Sequence, residues 1–160
     1  MMFRTHLAFG FLIGLLTLNL LDIKYQIIFV LLVMTFSSLP DIDHPKSKLG
    51  RILIPISIII NLIFKHRKFF HSLFIPLILF ILFKYLNLEI IAFPIAIGYI
   101  SHLMGDSITK EGIAPLYPLF KFRIRGPIKT GKFLENILLT IIMVINLVYI
   151  AYLIKLSFFS

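Results

Sequence analysis

Five histidines mark the ends of apolar runs in this chain: His6, His44, His66, His71 and His102, each within a few residues of a charged side chain. Three of the four aspartates, Asp41, Asp43 and Asp106, fall in the same short stretches. Ionisable groups beside a bilayer are costly and usually functional, and imidazole with carboxylate is the donor set of zinc and related divalent metals. The chain has no cysteine, which removes thiolate ligands and disulfides. His102 and Asp106 stand four apart, so a helix stacks them on one face, as two ligands of one ion require; a helix-end hydrogen bond would use the same spacing. Asp41-Ile42-Asp43-His44 follows Pro40. One of these carboxylates can cap a helix, but a second carboxylate and an imidazole beside it need a cation or several donors. His66 and His71 bracket Arg67-Lys68-Phe69-Phe70, which also reads as an interfacial basic-aromatic stretch. His6 carries little by itself; the set carries much more than any member. With a bridging hydroxide, Asp41, Asp43 and Asp106 would neutralise two divalent ions, and the candidate ligands leave positions for water and substrate.

The elements that position these residues are apolar. Of the 160 residues, 59% are hydrophobic, with a mean hydropathy of +1.01; soluble domains hold about 45–50%. The chain reads as one integral membrane domain over residues 1–160. Apolar runs cover residues 7–21, 26–39, 52–64, 72–86, 90–104 and 134–154. Several fall short of the ~20 residues that span a bilayer, so the helices must tilt or continue into the flanking polar motifs. The N-terminal run resembles a signal peptide without a small-residue cleavage site and reads as a retained first helix. The 52–64 run, with Pro55 near its start, is the ambiguous one. If it lies in the interface, every histidine falls on one side of the membrane. The expected fold is therefore all-α: a polytopic membrane helix bundle with about five transmembrane helices plus one interfacial or re-entrant helix.

That topology also sorts the charges. Arg4, Lys46, Lys48, Arg51, Lys65, Arg67, Lys68, Lys110, Lys121, Arg123, Arg125, Lys129 and Lys132 share the histidines' side, against Lys24, Lys84 and Lys155 on the other. The positive-inside rule makes the first side cytoplasmic, which also accounts for the formal charge of +9 without nucleic acid binding, for which there is no motif. The longest polar stretch, residues 105–133, is rich in glycine and proline and reads as a structured loop. Within it Phe120-Lys121-Phe122-Arg123-Ile124-Arg125 alternates apolar and cationic residues. This suits either a loop held by its charge or a site for phosphate or anionic headgroups.

Leu39-Pro40-Asp41-Ile42-Asp43-His44-Pro45-Lys46-Ser47 with Leu49-Gly50, then His66-Arg67 and His71-Ser72, then Gly98-Tyr99-Ile100-Ser101-His102 with Asp106 follow one another along the chain. Thr109, Gly112, Pro115-Leu116 and Pro118 continue the series, and His6 and the stretch from Thr130-Gly131 to Glu135 belong to it. In this order the motifs resemble the YdjM-like family of membrane-bound, metal-dependent hydrolases, from about His6 to Glu135. One segment departs. The family pattern His-Arg-Gly-x-Thr-His-Ser stands here as His66-Arg67-Lys68-Phe69-Phe70-His71-Ser72, so Lys68 and Phe70 replace a glycine and a threonine.

The resemblance implies distant kinship with zinc-dependent phospholipase C and P1-type nucleases, all-helical enzymes with clustered zinc ions, and hence phosphoester chemistry. The expected protein is an inner-membrane hydrolase, its site facing the cytoplasm, that cleaves a phosphoester of a lipid or lipid-like substrate with metal-activated hydroxide. Its expected cofactor is a divalent metal, two or three zinc ions, held by His6, Asp41, Asp43, His44, His66, His71, His102 and Asp106. Asp43 is the expected catalytic carboxylate, bridging ions or orienting water, and Arg67, Arg123 and Arg125 are the expected phosphate contacts. The expected partners are membrane lipids and the phosphoester substrate, not nucleic acid; the sequence does not set the oligomeric state. Two other classes use the same ligands: a metal-ion transporter, which needs them along a path through the bilayer, and a non-catalytic, metal-stabilised membrane regulator.

Overall fold

In an apolar medium a backbone must satisfy its own hydrogen bonds, and runs of Leu, Ile, Phe and Val do so as helices. The structure, a computed structural model, describes residues 1–64 and 69–159. Its described residues form seven α-helices: α1 Phe3–Thr17, α2 Gln26–Phe36, α3 Lys48–Ile52, α4 Ile54–Phe64, α5 Phe74–Tyr85, α6 Glu89–Ser107 and α7 Phe133–Phe159. Two 3-10 turns, Leu39–Asp43 and Phe69–His71, carry the aspartates and His71. The described residues contain no strand; isolated bridges join Thr109 to Ile128 and Ile113 to Ile124.

Among the described residues, three segments are long and apolar enough to cross a membrane: Gln26–Asp43, Glu89–Ser107 and Phe133–Leu156. The expectation of about five transmembrane helices is thereby corrected to three. α1 and α5 hold 15 and 12 residues. At 1.5 Å per residue they reach roughly 22 and 18 Å, against a hydrocarbon core of ~30 Å. The 72–86 run is shortened at its start, where the Leu73 N–H turns away to the Pro115 carbonyl, 2.9 Å away. The 7–21 run is helical only to Thr17, but α1 begins early enough to take in His6. α6 likewise continues past its apolar run through Asp106.

The bundle forms around α2 and α6, which pack on each other and on α1; α5 lies against α6, and α7 against α1. Leu15, Phe29, Val30 and Val33 make one core cluster, flanked by Phe93 and Ile97 of α6 and Ile150 and Leu153 of α7. At Gly98 a Cβ would stand 2.6 Å from the Val33 carbonyl oxygen, so only a bare backbone lets α6 and α2 touch. Asn146 Nδ2 donates to the Ala8 carbonyl at 3.0 Å and ties α7 to α1. The short α4 packs against α3 and the Leu39–Asp43 turn. This arrangement gathers the starts of α1, α5 and α7 and the ends of α2 and α6 at one end of the bundle.

Candidate metal centre

Each donor is set by local chemistry at that end. His6 lies in the first turn and a half of α1, whose entry is fixed by Glu135 in the first turn of α7. Fully buried, Glu135 accepts the Met2 N–H at Oε1 and the Gly131 N–H at Oε2, the latter at 2.6 Å. A carboxylate is favoured there by the helix N-terminus. At Gly105 a Cβ would lie 3.3 Å from His6 Nδ1, so the missing side chain makes room for the imidazole on α6. The His6 ring stacks on His102 with centroids 3.8 Å apart. His6 Nε2 is 3.3 Å from Asp106 Oδ1, which the Met1 amino group also meets.

The aspartates are carried by a braced turn. Pro40 occupies its first positions, where the missing N–H costs nothing. The Ser47 hydroxyl donates to the Asp41 carbonyl at 2.7 Å and accepts the Gly50 N–H at 2.8 Å, capping α3. Asn61 Nδ2 of α4 donates to the Asp43 carbonyl at 2.8 Å. Across the site, the Tyr99 hydroxyl of α6 donates to the Phe70 carbonyl at 2.5 Å and so holds the turn that presents His71.

The orientation of two rings defines the centre. His102 Nδ1 is 2.8 Å from the Ser37 carbonyl oxygen, which can only accept; Nδ1 therefore carries a proton, and the bond turns Nε2 toward the cluster. His71 Nδ1 lies 3.3 Å from Asp43 Oδ2, so the carboxylate flanks this side of the ring. The two remaining nitrogens, His71 Nε2 and His102 Nε2, stand 3.2 Å apart. Around them lie Asp106 Oδ2, at 3.7 and 3.8 Å, and Asp41 Oδ1, at 4.0 and 3.9 Å. Two imidazole nitrogens facing one space and rimmed by two carboxylates form a donor set suited to a cation between them. Two overlapping groups, His6–Asp41–His102 and His71–His102–Asp106, each bring one atom per residue within 4.8 Å of the others. Buried His6 Nδ1 has no hydrogen-bond partner among the described residues. The donor set thus fits a divalent metal ion.

The remaining expected residues lie elsewhere around this centre. Asp43 is fully buried and sits behind His71, on the nitrogen away from the cluster. His44 is half-buried, its Nδ1 accepting the Lys46 N–H at 3.0 Å. With Asp41, Ser47, Lys46 and Lys48 it lines a polar cleft of about 260 Å³ that reaches the cluster through Asp41. Arg123 and Arg125 are exposed on the segment after α6, with Arg123 Nη1 3.4 Å from the Glu111 carbonyl. His66 and Arg67 lie outside the described residues. Ser37, Tyr99 and Asn61 were not anticipated. Tyr99 had a signal, three residues before His102 on the same helix; Ser37 had none, because it acts on His102 through its main-chain carbonyl.

Comparison with known proteins adds the lineage. The family described as YdjM inner membrane protein matches residues 1–159. YvsG of Bacillus subtilis (strain 168) is 39% identical over 104 residues, covering 63% of this chain and 64% of that protein. The inner membrane protein YdjM of Escherichia coli (strain K12) is 41% identical over 96 residues, covering 56% of this chain and 48% of that one. The chain thus spans between about half and two-thirds of the length of these curated relatives. No solved structure matches. Because the family match covers every element that builds the centre, this chain, a helical membrane protein with a buried His/Asp cluster, belongs to the YdjM inner membrane protein family.

Proposed function

We propose that this protein is a membrane-embedded, metal-dependent hydrolase that cleaves a phosphoester of a lipid or lipid-like substrate. The observation that carries this reading is the meeting of His71 Nε2 and His102 Nε2 at 3.2 Å between Asp41 and Asp106, at an end of the bundle where apolar segments stop. A structural ion would suit a closed site, but Asp41 opens onto a polar cleft through which water and a headgroup can reach the ligands. Zinc bound there supplies Lewis acidity toward phosphoryl oxygens and an acidified water.

The chain's own residues then divide the work. His6, Asp41, His71, His102 and Asp106 hold metal; two or three zinc ions would draw on His44 and His66 as well. Asp43 fixes the His71 ring with its Nε2 inward, and Ser37 does the same for His102. Arg67, Arg123 and Arg125 hold the substrate phosphate. The excess of cationic residues at this end supports a cytoplasmic orientation of the site in the inner membrane, with α4 in the interface.

The test is metal analysis of detergent-purified protein, followed by hydrolysis assays on a panel of phospholipids and isoprenoid phosphates. Two or more ions per chain and cleavage lost in Asp41→Asn are expected. Metal-loaded protein that cleaves no member of the panel, with Asp41→Asn binding metal normally, sinks the proposal. Metal uptake into proteoliposomes that vanishes in His102→Ala would replace it with transport, for which the ligands described here gather at the wrong place, one end of the bundle.

A further inference from the structure

Between α6 and α7 the chain carries a second concentration of chemistry that the metal centre does not use. Residues 108–132 hold Lys110, Lys121, Arg123, Arg125, Lys129 and Lys132 against a single carboxylate, Glu111. This segment is not slack. Ile113 and Ile124 exchange both main-chain hydrogen bonds, at 3.0 and 2.9 Å. Gly126 N–H reaches the Thr109 carbonyl at 2.9 Å, and Ile128 N–H reaches the Ile108 carbonyl at 3.2 Å. The segment is thereby folded back on the end of α6.

From that braced base the run Pro118–Arg125 projects, and every residue in it is exposed. Phe120 and Phe122 show 61% and 66% of their surface, beside the cations Lys121, Arg123 and Arg125. Exposed aromatics clustered in this way mark a surface that something covers. The topology says where that surface lies. One end of the arm is fixed to the candidate span Glu89–Ser107 and the other to the candidate span Phe133–Leu156. Phe133, at the start of α7, is itself 76% exposed. The arm therefore lies at the level where the helices leave the membrane. That zone takes aromatic rings at the acyl boundary and cations at phosphate depth together.

We propose that residues 118–125 form an arm that binds anionic phospholipid: Phe120 and Phe122 seat in the bilayer interface while Lys121, Arg123 and Arg125 engage anionic headgroups. The inference needs neither metal nor turnover: it assigns Arg123 and Arg125, given above to the substrate phosphate, together with Lys121 to headgroups of the surrounding leaflet, and its test reads lipid contact whether or not the hydrolase reading holds. It gives the protein a preference for the composition of its own membrane leaflet.

The chain contains no tryptophan, so Phe122→Trp installs a single reporter in the full-length protein. The variant is placed in nanodiscs of phosphatidylcholine, with or without phosphatidylglycerol, and its emission is challenged with brominated phosphatidylcholine and with acrylamide. Strong quenching by the bromines in anionic discs, weaker in neutral ones, is expected. Replacing Lys121, Arg123 and Arg125 by glutamine, one at a time and together, should shift the reporter toward water by roughly fivefold per cation in anionic discs alone. Helical circular dichroism serves as the fold control, since these side chains are exposed. An indole open to acrylamide in both membranes overturns the proposal. So does equal bromine quenching in neutral and anionic discs, and so does an indole shielded from both quenchers, which would assign the face to another protein or a second copy.

Discussion

The two ends of α6 carry the same kinds of side chain and treat them in opposite ways. At its start Lys84 Nζ lies 3.9 Å from Glu89 Oε1, with 53% and 64% of the two side chains exposed. A pair so open to water is screened and contributes about 0–1 kcal/mol. At its far end His102 and Asp106 are sealed with His6, His71 and Asp43. There each charge or lone pair has lost its water, and removing one partner strands the others at about 3–5 kcal/mol. Sequence motifs of similar polarity thus differ in consequence because of where the bundle leaves water.

That contrast can be broken in steps of decreasing size. His102→Ala removes the donor common to both ligand groups. It should lower metal affinity by more than the ~10–100-fold typical of losing an outer hydrogen-bond partner, measured as metal retained through chelating chromatography. Asp43→Asn should cost about 10–100-fold in metal affinity, because the carboxylate orients His71 from behind. A loss as deep as that of His102→Ala would instead make Asp43 a direct ligand. Tyr99→Phe deletes one hydrogen bond to the turn before His71. It should lower thermal stability by about 1 kcal/mol and weaken metal binding less than Asp43→Asn does. Lys84→Gln, at the open end, should change stability by less than about 0.5 kcal/mol and leave metal content untouched. An effect of Lys84→Gln comparable to that of Tyr99→Phe would erase the distinction between the two ends.

Much of the fold was legible because membrane helices are written in contiguous hydropathy. The 26–39 and 90–104 runs reappear within Gln26–Asp43 and Glu89–Ser107, and the last run within α7. Length was harder to read. α1 and α5 fall short of a span because their ends are taken up by connections, as at Leu73, whose N–H bonds to a carbonyl far along the chain. The 52–64 run also divides differently from its hydropathy. Leu53 leaves the helical region between α3 and α4, and Pro55 sits in the first turn of α4; without an N–H to give the Arg51 carbonyl, proline cannot continue α3 and is tolerated only where a new helix begins. At the site, the donor types were visible one by one, but not the supports. Gly105 admits the His6 ring by what it lacks, and Ser37 acts through a group that every residue possesses.

The amino-acid sequence by itself determined that this chain is helical, belongs in a membrane and carries an imidazole–carboxylate donor set. Those are properties of single side chains and of short windows. Only the tertiary structure decided that Asp43 stands behind His71 while Asp41 and Asp106 stand in front. It also decided that His6 stacks on His102, and that two ring nitrogens share one space. The physical reason is that a helix repeats only its own period. Which face of one helix end meets which face of another depends on packing across the bundle, such as the bare backbone at Gly98 that brings α6 against α2.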